Sequence, residues 1–347
     1  MIQVTLGEGN TPVTESVRVG PELGLQRLLF KLENCNPSGS YKDRFVAAEV
    51  GRMLRDGARV CVATSSGNTG ASLAAYCARY EIACAIVVND RAPAGKLEQM
   101  RAHGARIFQV KDFITSPSVT ARVFEILSVL SRERGIPLVV SAYCICPEGM
   151  LGVELIAHEL VEQASEGIND IFVPVGGGGL FTAVCRGFKS QSLFSPRIHA
   201  VQLAGCSTVV AAFERGDIEI RPVESTTRIS GLAVPFDLDA SAALAHLRES
   251  GGVGIAVSDE EVFTAQRDML VREGIYCEPA GAAALAGLRV AVRKGLINMN
   301  STVFCLVTGH GFKDPDSVRE VAAQFVPARI SHEELAEHLQ GVVVSCA

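Results

Sequence analysis

Lys42 is the residue whose type and surroundings first point to chemistry. It lies in residues 36–44 (NPSGSYKDR), a loop rich in proline, glycine and serine that precedes a predicted helix. A deprotonated lysine amine forms Schiff bases with carbonyl groups, which would make Lys42 a covalent catalyst. Taken alone, however, the string is also typical of a helix-capping loop that carries one solvated charge.

Four consecutive glycines form a second candidate segment, between a predicted strand at 170–175 and a predicted helix at 180–189. Without a Cβ, the backbone N–H groups at such a helix start approach an anion closely, and the helix dipole favours negative charge there. The alternative interpretation is a flexible turn without a ligand. We predict a phosphate-binding loop that consists of Gly176, Gly177, Gly178 and Gly179.

Nucleotides fit this glycine loop poorly. Phe181 stands where a dinucleotide fingerprint needs its third glycine, and Gln202 stands in the next predicted strand where a ribose-binding acid is expected. No Gly-Lys-Ser/Thr follows the loop, which argues against a nucleoside triphosphate. The pattern therefore favours a phosphate carried by a small cofactor.

A third loop follows the predicted strand at 59–64 and precedes a predicted helix. Ser65, Ser66, Asn68 and Thr69 combine hydroxyls, an amide and helix-start N–H groups, which suit a carboxylate and a neutral hydrogen-bonding partner. An ordinary turn with serine and asparagine capping is the alternative.

Thr308 ends the predicted strand 302–308, on the edge where open α/β sheets bind ligands. Taken alone, its hydroxyl is more often bonded to its own turn. Pyridoxal phosphate requires an amine for the Schiff base, a glycine-rich helix start for the phosphate, an amide beside the ring hydroxyl and a partner for the ring nitrogen. The segments described above supply all four.

The sequence resembles the fold-type II, or tryptophan synthase β-like, pyridoxal phosphate enzymes, and within them the threonine synthases. The resemblance covers nearly the whole chain, and its motifs follow the family's order. They are LGEGNTP at 6–12, NPSGSYKDR at 36–44, SSGNTGAS at 65–72, VPVGGGGL at 173–180, EPAGAAALAG at 278–287 and TGHGFKD at 308–314.

The resemblance implies a role for each matching residue. Lys42 would form the Schiff base and, once released, act as the base that removes the α-proton. Asn68 would bond the ring hydroxyl, the four glycines would hold the phosphate, and Thr308 would face the ring nitrogen. A neutral partner at that nitrogen favours elimination and replacement over transamination. The residues that would bind the substrate carboxylate are Ser65, Ser66 and Thr69.

The substrate side departs from the threonine synthases, whose phosphorylated substrate is held by an Asn-Pro-Tyr-Arg stretch, a Glu-Gly-Gln-Lys-Thr element and an asparagine in the glycine loop. Here residues 141–151 read SAYCICPEGML, without arginine or lysine, and the glycine loop is plain. A substrate phosphate would then lack charge-assisted partners, unless Lys96, Arg101 or Arg228 supplies them.

We therefore predict a threonine synthase-like lyase that catalyses elimination or replacement at the β or γ carbon of an amino acid. The alternatives are true threonine synthase, a serine/threonine dehydratase-like lyase and a pyridoxal phosphate-binding paralogue without catalysis. Glu278 is expected to compensate a helix N-terminus, with lining of the cleft as the alternative, and Asp43 and Arg44 are expected to form structural ion pairs.

Composition limits the partners. The chain of 347 residues has a net charge of -6 and no run of lysine or arginine, so neither nucleic acid nor a membrane surface is expected to bind. No leader-like or membrane-spanning segment is evident, and we expect a cytoplasmic homodimer with a small amino-acid substrate. The 11 cysteines are scattered without CxxC, and no HExxH occurs, so we expect reduced thiols and no metal site.

Alternating strands and helices must position these loops. Strand and helix patterns alternate from 59 to 141 and again from 149 to 308, which is typical of parallel sheets with crossover helices. We predict a two-lobed α/β fold of fold type II, with parallel-rich twisted sheets flanked by helices and the cofactor in the interdomain cleft. The large domain would comprise 1–45 and 146–347, with a tail helix at about 331–340. Residues 46–145 would form a smaller α/β domain, which is a candidate for movement.

Overall fold

The computed structural model describes residues 4–65, 67–90, 92, 94–114, 116–164, 167–191 and 195–346. Within these residues the strands are β1 (Val13–Glu15), β2 (Arg27–Lys31), β3 (Val60–Ala63), β4 (Ala83–Asn89), β5 (Arg106–Val110), β6 (Leu138–Val139), β7 (Asp170–Pro174), β8 (Arg197–Leu203), β9 (Gly254–Val257) and β10 (Thr302–Leu306).

The helices alternate with these strands along most of the chain. They are α1 (Val19–Glu22), α2 (Lys42–Arg55), α3 (Asn68–Arg79), α4 (Ala94–Ala102), α5 (Pro117–Arg134), α6 (Pro147–Gln163), α7 (Gly179–Ser190), α8 (Val209–Arg215), α9 (Ala240–Glu249), α10 (Asp259–Arg272), α11 (Pro279–Arg293), α12 (Pro315–Ala322) and α13 (Leu335–Cys346). None of the described helices is long and apolar enough to cross a membrane.

The larger sheet has six strands in the order β1-β2-β10-β7-β8-β9. All neighbours are parallel except β1, which runs antiparallel to β2. Strand β7 is buried along its whole length, as expected for a parallel strand covered by helices on both faces. The smaller sheet has four parallel strands in the order β5-β4-β3-β6. The predicted α/β fold with parallel-rich sheets is confirmed.

The two sheets use different stretches of the chain. Strands β3 to β6 lie consecutively in the smaller sheet, whereas β1, β2 and β7 to β10 form the larger one. Helix α2 precedes the smaller sheet in sequence but packs mainly against α6. The predicted domain limits at 45/46 and 145/146 stay a prediction.

Close packing between α2 and α6 fixes the position of Lys42 at the start of α2. A Cβ on Gly152 of α6 would lie 2.2 Å from the carbonyl oxygen of Arg44, so only glycine lets the helices approach this closely. The Arg44 guanidinium is buried and bonds Glu33 at 2.7 Å and Glu159 at 2.6 Å. Because removing one partner of a buried ion pair costs about 3–5 kcal/mol, this network holds the first turn of α2 in place.

The tail differs from the prediction. Helix α13 covers Leu335–Cys346, whereas the sequence placed a helix at about 331–340. The Ser331 N–H does bond the Glu334 carboxylate at 2.8 Å, as in a capping box, but residues 332–334 form a turn. The capping pair therefore precedes the helix, which continues through the valine-rich run that follows Gln340.

Candidate active site

A cavity of about 470 Å³ lies where strands of both sheets end. Residues that follow β3, β6, β7 and β10 at their carboxyl ends line it, as is usual for ligand sites of open parallel sheets. The structure brings together all the predicted site residues that it describes. They are Lys42, Ser65, Asn68, Thr69, Gly176, Gly177, Gly178, Gly179 and Thr308. The predicted residue Ser66 lies outside the described residues.

Lys42 is the first residue of α2, and its side chain reaches into the cavity. Its Nζ donates a hydrogen bond to Ser141 Oγ at 2.7 Å and lies 4.6 Å from the centre of the Tyr41 ring. Ser141 follows β6, so this bond joins α2 to the end of the smaller sheet. The sequence analysis gave Ser141 no role, although a hydroxyl at the carboxyl end of a predicted parallel strand was an available signal.

The glycine loop presents backbone rather than side chains to the cavity. Gly178 has a φ of 98°, in the left-handed region, and a Cβ there would lie 2.5 Å from the Asp239 carbonyl oxygen. Helix α7 begins at Gly179, and the first N–H groups of a helix lack intrahelical partners. These N–H groups and the helix dipole provide an anion site.

Asp239 is a functional candidate that the sequence analysis missed. It precedes α9, and its buried carboxylate accepts hydrogen bonds from the backbone N–H groups of Tyr143 at 2.8 Å and Cys144 at 3.3 Å. Burial raises the pKa of Asp239, and the two backbone hydrogen bonds oppose that rise. Since Asp239 also packs against Gly178 and Gly179, it ties the loop after β6 to the glycine loop.

Asn68, at the start of α3, faces Glu278 across the cavity. Its Nδ2 donates to Glu278 Oε1 at 2.6 Å, so one amide hydrogen is left for a ligand. Glu278 does precede α11 as predicted, but its side chain makes no capping bond there. Glu278 lines the cavity, which is one of its two predicted roles, and its carboxylate also lies at the N-terminus of α11, where a negative charge compensates the helix dipole.

Thr308 follows β10 and is buried at 5% exposure. Its hydroxyl makes no hydrogen bond within the described part of the chain, whereas its carbonyl accepts the N–H of Tyr41 at 3.2 Å. The alternative, a hydrogen bond between the Thr308 hydroxyl and its own turn, is therefore not observed among the described residues. The Thr308 hydroxyl is available to a ligand in the cavity.

Lys313 is a cation of the cavity wall that the sequence analysis did not consider. Its Nζ donates to Gln99 Oε1 at 2.7 Å, and Gln99 Nε2 in turn donates to the Ser38 carbonyl at 3.1 Å. Burial lowers the pKa of Lys313 to about 8, against the opposing charges of Glu278 and Asp43. The signal in the sequence was the lysine five residues after Thr308.

Asp43 and Arg44 differ from each other in their partners. Arg44 forms the predicted structural ion pairs, whereas the Asp43 carboxylate accepts hydrogen bonds from Ser38 and the Ser72 hydroxyl. Burial raises the pKa of Asp43, and these bonds oppose the rise. The expected ion pair of Asp43 is not formed among the described residues, because serine donors satisfy its carboxylate.

Two of the three cations proposed to replace the missing substrate ligands lie outside the described cavity lining. Arg101 and Arg228 are absent from its described lining, and the Arg228 guanidinium lies 5.0 Å from the centre of the Phe263 ring. The side chain of Lys96 falls outside the described residues. The charged side chains of the described lining are those of Lys42, Lys313 and Glu278.

The described residues fit pyridoxal phosphate. The start of α7 offers N–H donors in a loop that side chains would obstruct, and Lys42 offers an amine in the same cavity. Asn68 keeps an amide hydrogen for a ring oxygen, and Thr308 has a free hydroxyl for a ring nitrogen. The cavity volume is also within the usual range for a cofactor of this size.

Comparisons with known proteins agree with this geometry. The family of pyridoxal-phosphate dependent enzymes matches residues 4–309. Threonine synthase from Methanocaldococcus jannaschii is 34% identical over 90% of this chain and 77% of that protein. Threonine synthase from Bacillus sp. (strain ULM1) is 33% identical over 99% of this chain and 94% of that protein.

Solved structures show the same fold. Maize serine racemase superposes with a TM-score of 0.74 at 25% identity, covering 92% of this chain and 94% of that one. Threonine deaminase isoform 2 from Solanum lycopersicum gives a TM-score of 0.75 at 21% identity, over 90% of this chain and 83% of that one. Because the family match spans most of the sequence and curated relatives exceed 30% identity over nearly all of it, this chain belongs to the family of pyridoxal-phosphate dependent enzymes.

Proposed function

We propose that this enzyme is a threonine synthase-like lyase that catalyses elimination or replacement at the β or γ carbon of an amino acid. One observation carries the proposal: the Lys42 amine shares a single cavity with two helix starts, those of α7 and α3. Each helix start favours an anion, so one suits the cofactor phosphate and the other suits the substrate carboxylate.

Each polar residue has a distinct task in this proposal. Bound pyridoxal phosphate supplies an electron sink for charge that develops at the substrate α-carbon. Lys42 Nζ, oriented by Ser141, accepts the α-proton. Ser65 and Thr69, beside the start of α3, hold the substrate carboxylate through hydroxyl and N–H donors.

Asn68 and Thr308 act on the cofactor ring without charge. The Asn68 amide, held by Glu278, would bond the ring hydroxyl, and the Thr308 hydroxyl would bond the ring nitrogen. A hydroxyl is too weak an acid–base partner to keep that nitrogen protonated, whereas a carboxylate would do so. This neutrality favours loss of a leaving group over transamination.

The charges in and next to the cavity favour a substrate whose leaving group is not a phosphate. Three buried carboxylates, those of Asp43, Asp239 and Glu278, accompany two ammonium groups, those of Lys42 and Lys313. The cofactor phosphate adds further negative charge. Beyond Lys42, the described lining offers a second dianion one cation, Lys313, which is already bonded to Gln99, so we propose an amino acid with a hydroxyl or acyl leaving group.

True threonine synthase, acting on O-phosphohomoserine, is the second candidate. The curated relatives at 33–34% identity favour it, since both are named threonine synthase. In that case Lys313 is the described cation that would have to turn from Gln99 to the substrate phosphate.

A leaving-group screen separates the two candidates. The purified holoenzyme is incubated with serine, threonine, O-acetylserine and O-phosphohomoserine, and release of oxoacid, acetate and phosphate is measured. We expect oxoacid or acetate, with Lys42→Ala as the inactive control. Phosphate release alone would establish threonine synthase, and no release from any substrate would establish a cofactor-binding protein without catalysis.

We infer further that the enzyme acts in the cytoplasm as a homodimer. All cysteines assigned in the described residues are free, which suits a reducing compartment. Leu151 and Leu155 expose 51% and 48% of their surface one turn apart on α6, which supports an apolar contact there. Light scattering of the wild type and of Leu155→Asp tests the dimer, because the charge would reduce the measured mass to that of a monomer.

A further inference from the structure

Three cysteines meet in the core beside the smaller sheet. Cys61 lies on β3, Cys84 lies opposite it on β4, and Cys77 lies on α3, which covers the same face. All three are buried, and their Sγ atoms lie within 4.8 Å of one another. The Sγ atoms of Cys61 and Cys77 are 3.6 Å apart. The cluster is separate from the described lining of the active-site cavity.

The spacing of the sulfur atoms matches that of a metal–thiolate site. A point equidistant from three sulfurs separated by 3.6 to 4.8 Å lies about 2.1–2.8 Å from each, and a zinc–thiolate bond is about 2.3 Å. Shifts of a few tenths of an ångström would therefore bring all three sulfurs to bonding distance. Thiolate ligands select soft, closed-shell cations over magnesium or calcium.

A buried carboxylate supplies a second observation. Glu49 on α2 is fully buried, and its Oε1 bonds Arg52 at 2.7 Å, but its Oε2 has no partner among the described residues. Helix α2 packs against α3, so this unpaired buried oxygen adds negative charge to the same core region as the three sulfurs, where it favours a cation.

We propose that Cys61, Cys77 and Cys84 bind one thiophilic d10 cation, of the class of Zn²⁺ or Cd²⁺. Each sulfur–metal bond forms as the thiol releases its proton to solvent, so no oxidant or reductant is needed. Because each thiol must lose its proton to bind the cation, affinity should increase with pH. This proposal departs from the expectation of no metal site, since the three ligands come from separate elements and no CxxC spacing marks them.

A bound cation would brace the smaller sheet. It would link β3, β4 and α3, and the loop between β3 and α3 carries Ser65, while Asn68 is the first residue of α3. We expect slower hydrogen exchange in these three elements when the ion is present, without a change in the cofactor spectrum. The proposal does not depend on which amino acid the enzyme uses.

The test is a Cd²⁺ titration of the holoenzyme. The exposed Cys35 and Cys144, together with Cys346 near the end of the sequence, are first replaced by serine, so that thiols outside the cluster do not compete. Equilibrium dialysis with metal analysis should give one bound equivalent, accompanied by sulfur-to-cadmium charge-transfer absorption in the ultraviolet. The titration is repeated with Zn²⁺ by dialysis alone.

Single substitutions identify the ligands. Cys61→Ala, Cys77→Ala and Cys84→Ala should each weaken Cd²⁺ binding at least tenfold, whereas Cys185→Ala, which removes a buried thiol from α7, should leave it unchanged. Folding of each variant is checked by its cofactor absorption and circular dichroism. If a variant does not fold, its binding measurement is replaced by hydrogen exchange of the parent protein with and without Cd²⁺. Unaltered exchange in β3, β4 and α3 would then refute the site. The site would also be refuted if the parent bound less than a tenth of an equivalent of Cd²⁺, or if the three cysteine variants bound Cd²⁺ as well as the parent.

Discussion

The two sides of the active-site cavity are built from different parts of the chain. On the glycine-loop side, backbone N–H groups of α7 face the cavity, and the loop packs so tightly against Asp239 that Gly178 has no room for a Cβ. On the opposite side, after β6, side chains define the surface, beginning with Ser141. A site built from backbone N–H groups requires glycine wherever a Cβ would obstruct it, whereas a site built from side chains tolerates substitution.

This difference explains why the sequence identifies the cofactor, whereas the leaving group depends on side chains that vary. The loop requires glycine at position 178 whatever the substrate, because a Cβ there would clash with backbone atoms of Asp239. The loop after β6 keeps its position through backbone N–H bonds to Asp239, so its side chains are free to vary. The absence of arginine and lysine from this loop therefore leaves the cofactor site intact, and under the proposed function it selects a leaving group other than phosphate.

The largest effect is expected from Lys42→Ala, because the proposed roles of both sides of the cavity depend on the Lys42 amine. Loss of the base should lower turnover at least about 100-fold, and loss of the Schiff base should remove the visible absorption band of the cofactor. Steady-state rates and an absorption spectrum measure these effects. An unchanged spectrum would contradict the assignment of Lys42 and with it the comparison of the two sides.

Gly178→Ala tests the backbone side. Strain at positive φ together with the contact to Asp239 should cost about 3 kcal/mol, and cofactor affinity should fall about 100-fold. The control is Gly216→Ala, at a φ of 73° but with no heavy atom within 4 Å of the new Cβ, which should cost about 1 kcal/mol and leave affinity intact. Equal effects of the two substitutions would show that steric exclusion at Gly178 is unimportant.

Lys313 allows a pH test of the side-chain wall. Its pKa is about 8 in the fold and 10.5 ordinarily, so between these values the unfolded chain binds a proton that the folded chain does not. Wild type should therefore gain stability relative to Lys313→Met as pH rises through this window, by up to about 1.4 kcal/mol per pH unit. Denaturant unfolding at several pH values measures the difference, and the exposed Lys189→Met is the control. If the difference in unfolding free energy between wild type and variant is constant with pH, the fold does not lower the pKa of Lys313.

Ser141→Ala should have the smallest effect. A neutral hydrogen bond contributes about 1 kcal/mol, so loss of the bond to Lys42 Nζ should reduce kcat about fivefold. Cofactor absorption should persist, because the glycine loop is untouched. Ser190→Ala, at the far end of α7, serves as the control for loss of a serine hydroxyl. A rate equal to that of wild type would remove Ser141 from the orientation of Lys42.

Most of the cofactor site was predictable because its requirements are local. The glycine loop, Asn68 and Thr308 each lie within a few residues of a strand end, and the pattern of apolar residues already marks where those strands end. The roles predicted for Glu278 agree with its position, but its bond to Asn68 was not predictable, since it spans 210 residues. The limits of α13 were wrong, because a capping pair does not fix where a helix begins.

The sequence by itself determined the fold class, the cofactor and the residues that need a particular backbone geometry, because glycine, strand periodicity and helix starts act over short distances. Only the tertiary structure decided which side chains meet. The bonds of Lys42 to Ser141, of Tyr143 to Asp239 and of Lys313 to Gln99 join residues 99, 96 and 214 positions apart. The same is true of the three clustered cysteines, since contacts between separate elements depend on how sheets and helices pack and not on spacing along the chain.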